Sequence, residues 1–136
     1  MRIQVKDMMR APVVTVVVKS DVRYVRELME RKEVNAIPVV DLDDEKRITI
    51  RGIITSTDLR GVTDESTPIE QLMSSKVHVV SKNASALAAG KMMLRHHVHH
   101  LVVMEDGRII GMVSSSDFVK VVAEKPVASF SKVMFW

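Results

Sequence analysis

The sequence predicts an α+β fold of two similar halves, each with the order strand, helix, strand, strand, helix. When the sequence is shifted on itself, residues 5–40 align with residues 69–104 without a gap, and their apolar patterns match. In both halves, runs rich in β-branched residues flank a stretch that has the apolar spacing of a helix. Because one such unit cannot cover both faces of its sheet, we expect the halves to pack on one another.

Each half is predicted to begin with a strand and an amphipathic helix. The first strands are predicted at 13–16 and 77–80, where valine predominates. Spacings of three and four residues place the apolar side chains of the following segment on one side of a helix. These side chains are Val22, Val25, Leu28 and Met29 in the first half and Ala86, Ala89, Met92 and Met93 in the second.

Two further apolar runs in each half predict a hairpin, followed by a short helix. The runs are 37–40 and 48–54 around the polar segment 41–46, and 101–104 and 109–113 around the shorter turn 105–107. Leu59 and Phe118 hold corresponding positions in the two short helices. The repeats therefore extend over residues 1–64 and 65–124, and they meet in the polar, proline-containing segment 63–68.

Composition restricts the class of function. Lys+Arg 20 against Asp+Glu 17 leaves a formal charge of +3 without a basic cluster, which argues against nucleic-acid binding and fits a small anionic ligand. Cysteine is absent and the first residues do not resemble a secretory signal, so we expect a cytoplasmic location. Every apolar run is far shorter than the roughly 20 residues of a membrane-spanning helix, so no membrane association is expected. There is no P-loop, no G-x-G-x-x-G and no nucleophile with a plausible base, so we do not expect an enzyme.

The motif G-x-x-[ST]-x-x-D occurs once in each half. The hydroxyl is Thr55 or Ser114, and the aspartate is Asp58 or Asp117. Where a strand turns into a helix, a hydroxyl can cap free backbone N–H groups or bind a phosphate, and a carboxylate can accept both hydroxyls of a ribose. The motif is also close to a capping box, which requires no ligand. Its presence in the same context in both halves favours ligand binding.

Together these features resemble a tandem pair of cystathionine beta-synthase (CBS) domains, a Bateman module, over about residues 3–124. The matching segments are Asp7-Met8-Met9, Gln71-Leu72-Met73, residues 35–41 and both copies of the motif. The resemblance implies two β-α-β-β-α repeats packed through their sheets with pseudo-twofold symmetry, and it implies a homodimer. It further implies a sensor of AMP, ADP or ATP, or less often of S-adenosylmethionine or NAD, that needs no cofactor and reports to an effector protein unknown from the sequence.

The resemblance also implies two ligand clefts to which both repeats contribute. One cleft would use Ser114 and Asp117 with Thr15, Val16, Asn35 and Ala36, and the other would use Thr55 and Asp58 with Val79, Val80, His99 and His100. Adenine would lie against Ile37 or Leu101, largely through backbone hydrogen bonds. The second repeat departs from the family pattern, because Val102 replaces the proline matched by Pro38 and Val79 replaces Thr15. We therefore expect unequal affinities.

Four of the five histidines lie within residues 96–100. His99 and His100 stand where similar modules place a His-Arg pair directed at phosphates, so phosphate contact is one interpretation. A helix C-terminal cap is a second interpretation. Metal binding is a third, but the segment contains no cysteine or carboxylate, and we expect no metal site.

Residues 125–136 form a predicted tail that contains Phe130, Phe135 and Trp136, a large share of the few aromatic residues. Such a tail docks on this subunit or a partner, or it is a disordered chain end. It also suggests a function of a different class. In this alternative the chain is a dimerisation or interaction scaffold with vestigial clefts, and the tail is its contact surface.

Overall fold

The computed structural model describes residues 2–124, which form two compact units. The central unit is Val13–His78, and the split unit combines residues 2–12 with residues 79–124. The predicted tail at 125–136, with its aromatic residues, lies outside the described residues. No helix in the described part of the chain is long and apolar enough to cross a membrane.

Each unit contains one three-stranded sheet and two helices, which confirms the α+β class and the predicted element order. The central unit contains β1 (Val16–Val17), α1 (Val22–Lys32), β2 (Ala36–Leu42), β3 (Ile48–Thr55) and α2 (Ser56–Leu59). The split unit contains β4 (Val79–Val80), α3 (Ala86–His96), β5 (His100–Glu105), β6 (Arg108–Ser114) and α4 (Ser115–Glu124). In both sheets the middle strand pairs in parallel with the first strand and antiparallel with the third.

A short 3₁₀ helix precedes each first strand and belongs to the unit of the other repeat. Val5–Asp7 lies in the split unit, where Val5 is fully buried in the core and donates its N–H to the Ala84 carbonyl oxygen at 2.9 Å. Ile69–Gln71 has the same role in the central unit, where Ile69 is fully buried. Sequence analysis did not predict these helices. The sequence repeats and the compact units are therefore offset by one short segment.

In each unit, one face of the first helix packs against one face of the sheet and forms the core. In the central unit the core includes all four predicted residues of α1, packed with sheet residues such as Ile37, Val39 and Ile54. In the split unit Ala89 and Met93 of α3 are buried, and Ala86 and Met92 pack beside them half-buried. Both predicted helix faces are confirmed. Burial of a Val- or Leu-sized side chain contributes about 1.5–3 kcal/mol, so these interiors account for much of the stability of each unit.

The first strands are shorter than predicted. Only Val16 and Val17 pair with β2, and only Val79 and Val80 pair with β5. The prediction of strand structure at 13–15 and 77–78 is therefore wrong. At these points the chain passes from one unit into the other, so only the last residues of each apolar run are aligned with a neighbouring strand.

The two units hold their last helix by different contacts. In the central unit Arg26 of α1 donates from Nη2 to the carbonyl oxygens of Leu59 and Val62, at 2.9 and 2.8 Å, just where α2 ends after four residues. The corresponding residue of α3 is Gly90, and a Cβ added there would lie 3.4 Å from Cε1 of Phe118. The small residue leaves room for the Phe118 ring, which packs against the core of the split unit. Here α4 continues for ten residues.

Asp43 holds the longer hairpin of the central unit. Its Oδ1 accepts the N–H groups of Glu45 and Arg47 at 2.9 and 2.8 Å, and its Oδ2 accepts Nε of Arg47 at 2.8 Å. These hydrogen bonds, chiefly the backbone bond from Arg47, lower the pKa of Asp43 below its ordinary value. The split unit closes the corresponding hairpin with Asp106 and Gly107, both at positive φ.

Candidate functional site

Both copies of the motif lie where the last strand of a sheet becomes a helix. Thr55 ends β3 and Asp58 lies in α2, while Ser114 ends β6 and Asp117 lies in α4. Asp58 is half-buried and Asp117 is buried. Both residues are therefore less exposed than the residues of an ordinary surface turn.

In the central unit Thr55 and Asp58 form a reciprocal capping box. The N–H of Thr55 donates to Oδ2 of Asp58 at 2.8 Å, and the N–H of Asp58 donates to Oγ1 of Thr55 at 3.3 Å. Capping is therefore confirmed as one role of this copy. The capping bond goes to Oδ2 of the carboxylate. A carboxylate has a second acceptor oxygen, Oδ1, which can accept a hydroxyl.

In the split unit the carboxylate has the same role, but the hydroxyl is turned differently. Oδ2 of Asp117 accepts the N–H of Ser114 at 2.8 Å. The Ser114 hydroxyl donates to the same oxygen at 3.2 Å and lies 2.7 Å from the hydroxyl of Ser116. The hydroxyl of Ser114 is thus bound to the carboxylate, whereas the hydroxyl of Thr55 caps its helix.

The other carboxylate oxygen of Asp117 faces an arginine. Nε of Arg10 lies 3.5 Å from Oδ1 of Asp117, and the side chains are 50% and 5% exposed, respectively. The backbone of Arg10 exchanges hydrogen bonds with Met112 of β6, at 2.8 and 3.1 Å. In the central unit the matching bridge joins Ser74 to Ile53, so the arginine has a serine counterpart. Sequence analysis missed Arg10 because it is 107 residues away from Asp117 and lies outside the motif.

The motif glycines allow these bridging segments to approach the sheet. A Cβ on Gly52 would lie 2.5 Å from the carbonyl oxygen of Ser74. A Cβ on Gly111 would lie 3.0 Å from the carbonyl oxygen of Arg10 and 2.6 Å from Sδ of Met9. Only a residue without a side chain fits at such distances. The glycine therefore explains how residue 10 or residue 74 reaches the motif.

The predicted ligand residues of the middle strands lie beside the motif of their own unit. Ala36 is the ladder partner of Thr55, and the carbonyl oxygen of Asn35 accepts the N–H of Ser56 at 2.9 Å. Within the central unit the structure thus brings Asn35 and Ala36 together with Thr55 and its neighbours. The predicted grouping of Asn35 and Ala36 with Asp117 draws on both units and stays a prediction.

The split unit repeats this arrangement with histidines. His100 is the ladder partner of Ser114, and the carbonyl oxygen of His99 accepts the N–H of Ser115 at 3.0 Å. His99 and His100 therefore lie next to the second motif within their unit. Their predicted grouping with Thr55 and Asp58 draws on both units and stays a prediction.

The remaining predicted ligand residues differ in exposure. Thr15, which precedes β1, and Val79, which begins β4, are exposed. The residues that follow them, Val16 and Val80, are buried. The side chains of Ile37 and Leu101 are fully buried in the cores of their own units. Any contact that these two residues make with a ligand is therefore expected through the backbone, as the resemblance implied.

The histidine cluster forms the end of α3. His96 is the last residue of this helix, and His97 is its C-cap in the left-handed conformation, with φ 54° and an N–H that donates to the Met93 carbonyl oxygen. Glu33 ends α1 in the same way, with φ 55°. Within residues 2–124, no group of three or more His, Cys, Asp or Glu residues is arranged to hold a metal ion.

Comparison with protein families gives a match over nearly all of the described chain. The model of the CBS domain matches residues 5–65 and 69–124. CBS domain-containing protein YhcV of Bacillus subtilis is 31% identical over 114 residues, which are 83% of this chain and 81% of YhcV. The inosine-5′-monophosphate dehydrogenase of Halobacterium salinarum is 32% identical over 108 residues, which are 77% of this chain and 21% of that enzyme. The chain thus spans about a fifth of the length of the dehydrogenase it matches.

Solved structures with the same fold include CBS domain pairs. The CBS domain pair of protein MJ0100, in complex with 5′-methylthioadenosine and S-adenosyl-L-methionine, has a TM-score of 0.78 and 22% identity over 93% of this chain and 100% of that one. A protein from Burkholderia ambifaria MC40-6, described as a signal-transduction protein with CBS domains, has a TM-score of 0.70 and 33% identity, and covers 85% of this chain and 86% of its own.

Proposed function

Since the chain belongs to the CBS domain family, whose tandem pairs are regulatory ligand-binding modules, we propose that it binds an adenine nucleotide and reports the bound state to an effector protein. The observation that carries the proposal is the second carboxylate oxygen of each motif. Capping uses Oδ2 of Asp58 and of Asp117, so Oδ1 can accept the hydroxyls of a ribose, at Asp117 in place of Arg10. A motif that served only to accept the strand-end N–H would not require a carboxylate, because the amide oxygen of Asn or Gln at the same position can accept that N–H.

The proposed class of ligand also has support from the MJ0100 pair. 5′-Methylthioadenosine and S-adenosyl-L-methionine, which that protein binds, share an adenosine group with a ribose diol. AMP, ADP and ATP carry the same group together with phosphates. Arg10 and the His99-His100 pair, which lie near the motifs of this chain, favour the phosphorylated ligands, while S-adenosylmethionine and NAD are the alternatives to test.

The proposed ligand sets draw on both repeats, as the family resemblance implies. Asp117 and Ser114 act with Thr15, Val16, Asn35 and Ala36, and Asp58 and Thr55 act with Val79, Val80, His99 and His100. Ile37 and Leu101 contribute backbone groups to adenine, because their side chains are in the cores of the units. A ligand regulates only if it binds two states of the protein with different affinity, so the effector must distinguish the ligand-free module from the bound one. Such a sensor of nucleotide levels is expected in the cytoplasm.

A thermal-shift series with AMP, ADP, ATP, NAD and S-adenosylmethionine tests the proposal. A ligand present at about a hundredfold above its Kd stabilises the folded state by about 2.7 kcal/mol, which raises the melting temperature by several degrees in a domain of this size. The matched control is the double variant Asp58→Asn/Asp117→Asn, in which the shift should disappear. If none of the five compounds raises the melting temperature of the unaltered chain, the sensor function is refuted.

A second candidate function, that of a dimerisation scaffold, is favoured by apolar side chains exposed on the split unit. Leu87 and Leu94 are 69% and 78% exposed and lie two turns apart on α3, on the side opposite the buried residues of this helix. On α4, Val119 and Val122 are 67% and 56% exposed. Single exposed apolar residues are ordinary, but the two leucines share one face of α3 and so could form part of an interface. The same surface fits a homodimer of a nucleotide sensor.

If this surface joins two copies, Leu87→Glu/Leu94→Glu should convert a dimer into a monomer, as measured by sedimentation equilibrium. Both leucines are exposed in the single chain, so the fold of each copy should be little affected. Tyr24→Glu, at an exposed position on α1 of the central unit, is the control and should leave the dimer intact. A dimer that survives the double substitution excludes this surface, and an unaltered chain that sediments as a monomer excludes the homodimer.

A further inference from the structure

The two copies of the motif are built alike but differ in one nearby charge. In both, the strand-end N–H donates to Oδ2 of the aspartate at 2.8 Å, and a bridging segment exchanges backbone hydrogen bonds with the last strand. In both, the motif glycine lets this segment approach. The bridging residue is Ser74 in the central unit and Arg10 in the split unit. From this difference we infer that Arg10 sets the ligand preference of the Asp117 motif, so that it favours adenosine compounds with a phosphate over neutral ones.

The ion pair involves the oxygen that the proposed function assigns to the ribose. Nε of Arg10 lies 3.5 Å from Oδ1 of Asp117, while Oδ2 is already bound to the N–H of Ser114. A ribose hydroxyl that donates to Oδ1 of Asp117 must therefore displace the guanidinium of Arg10 from this oxygen. The inference rests on the proposed function for this reason, and it adds the residue that separates one class of adenosine ligand from another.

Arg10 is the more exposed member of the pair. The carboxylate is 5% exposed and bound on its other oxygen, whereas the arginine side chain is 50% exposed. The backbone of Arg10 is fixed by two hydrogen bonds to Met112, so its side chain turns about a fixed Cα. When a ligand takes Oδ1, the guanidinium moves and the carboxylate stays.

The charge of the ligand then decides how well the displaced guanidinium is compensated. A neutral nucleoside displaces Arg10 from Asp117 and offers it only uncharged acceptors. AMP offers phosphate oxygens, for which the planar guanidinium is well suited. A neutral ligand therefore breaks the Arg10–Asp117 ion pair without replacing it, which weakens its binding. A ligand with a phosphate replaces that ion pair with one between Arg10 and the phosphate. Ser74 has no charge, so the Asp58 motif lacks this source of preference.

The test measures the ratio of the Kd for adenosine to the Kd for AMP at one motif at a time. The Asp58→Asn full-length chain leaves only the Asp117 motif for calorimetric titration. On this background Arg10→Ser, which installs the serine of the other unit, should lower the ratio about tenfold, because a charge-assisted bond to phosphate is lost. Arg10→Gln, which keeps a long polar side chain without the charge, should have the same effect.

The reciprocal experiment uses the other unit. Ser74→Arg in the Asp117→Asn chain should raise the preference of the Asp58 motif for AMP, while Ser74→Gln should not. An unchanged ratio in both Arg10 variants overturns the inference and leaves the proposed function standing. Loss of all binding in the Asp58→Asn chain also overturns it, since the Asp117 motif would then hold no ligand. If the unaltered chain binds none of AMP, ADP, ATP, NAD and S-adenosylmethionine, the proposed function itself fails.

Discussion

Asp58→Asn and Asp117→Asn are each expected to abolish binding of adenine nucleotide at their own motif and to leave the other motif occupied. The carbonyl oxygen of an asparagine can still accept the N–H of Thr55 or Ser114, so the strand-end bond is retained. The amide NH₂ then replaces Oδ1, and an acceptor of ribose hydroxyls becomes a donor. Each hydrogen bond to a charged group contributes about 1.5–3 kcal/mol and a ribose offers two hydroxyls, so loss of both bonds should lower the affinity of the altered motif at least roughly a hundredfold.

Titration calorimetry with AMP provides the measurement, because stoichiometry and affinity are obtained together. The control is Asp21→Ala, which removes the side-chain cap of α1, a 2.9 Å bond from the N–H of Tyr24, without altering either motif. This change should cost about 1 kcal/mol of stability and leave binding intact. If both asparagine variants bind with the stoichiometry and affinity of the unaltered chain, the ribose is held elsewhere and the assignment of the motif is wrong.

The sequence was sufficient to predict the elements that depend on local pattern. The buried face of α1, from Val22 to Met29, follows from helical spacing, and the hairpins follow from two apolar runs around a polar turn. The repeat itself adds information, because a weak pattern such as Ala86 to Met93 gains support from its stronger counterpart. The capping alternative was also visible in the sequence, since a hydroxyl three residues before a carboxylate is a local motif.

Features that depend on contacts between distant segments were not predictable in the same way. Val5 and Ile69 have the same place in the repeat pattern, and nothing local indicates that each is buried in the unit of the other repeat. The ion pair of Arg10 with Asp117 depends on that exchange, because the 3₁₀ helix and bridge bring residue 10 to β6. A sequence repeat predicts which helices and strands each half contains. It does not predict in which unit a segment is buried, because that is set by tertiary packing.

The substitution with the largest expected effect on stability is Gly52→Ala. The added Cβ would lie 2.5 Å from the carbonyl oxygen of Ser74 and 2.7 Å from Sδ of Met73, so the bridging segment has to move. That segment is fixed by hydrogen bonds of 2.9 and 3.0 Å between Ser74 and Ile53. Overpacking of this kind costs about 1–3 kcal/mol, and a backbone contact places the change at the upper end. Chemical denaturation should show a loss of about 3 kcal/mol, with a fall in melting temperature of roughly 10 °C.

Alanine substitutions at two other glycines are controls. They distinguish the effect of the close backbone contact at Gly52 from the general effect of replacing glycine with alanine. Gly111→Ala should cost less, because its nearest backbone atom, the carbonyl oxygen of Arg10, is 3.0 Å away and the closer Sδ of Met9 belongs to a flexible side chain. Gly90→Ala should be neutral or stabilising by up to about 1 kcal/mol, because alanine favours the helix and its Cβ would meet Phe118 at an ordinary 3.4 Å. Equal losses at Gly52 and Gly90 would contradict the packing described for the motif. A larger loss at Gly52 than at Gly111 is expected, because the new methyl group would lie 2.5 Å from a backbone oxygen at Gly52 and 3.0 Å from one at Gly111.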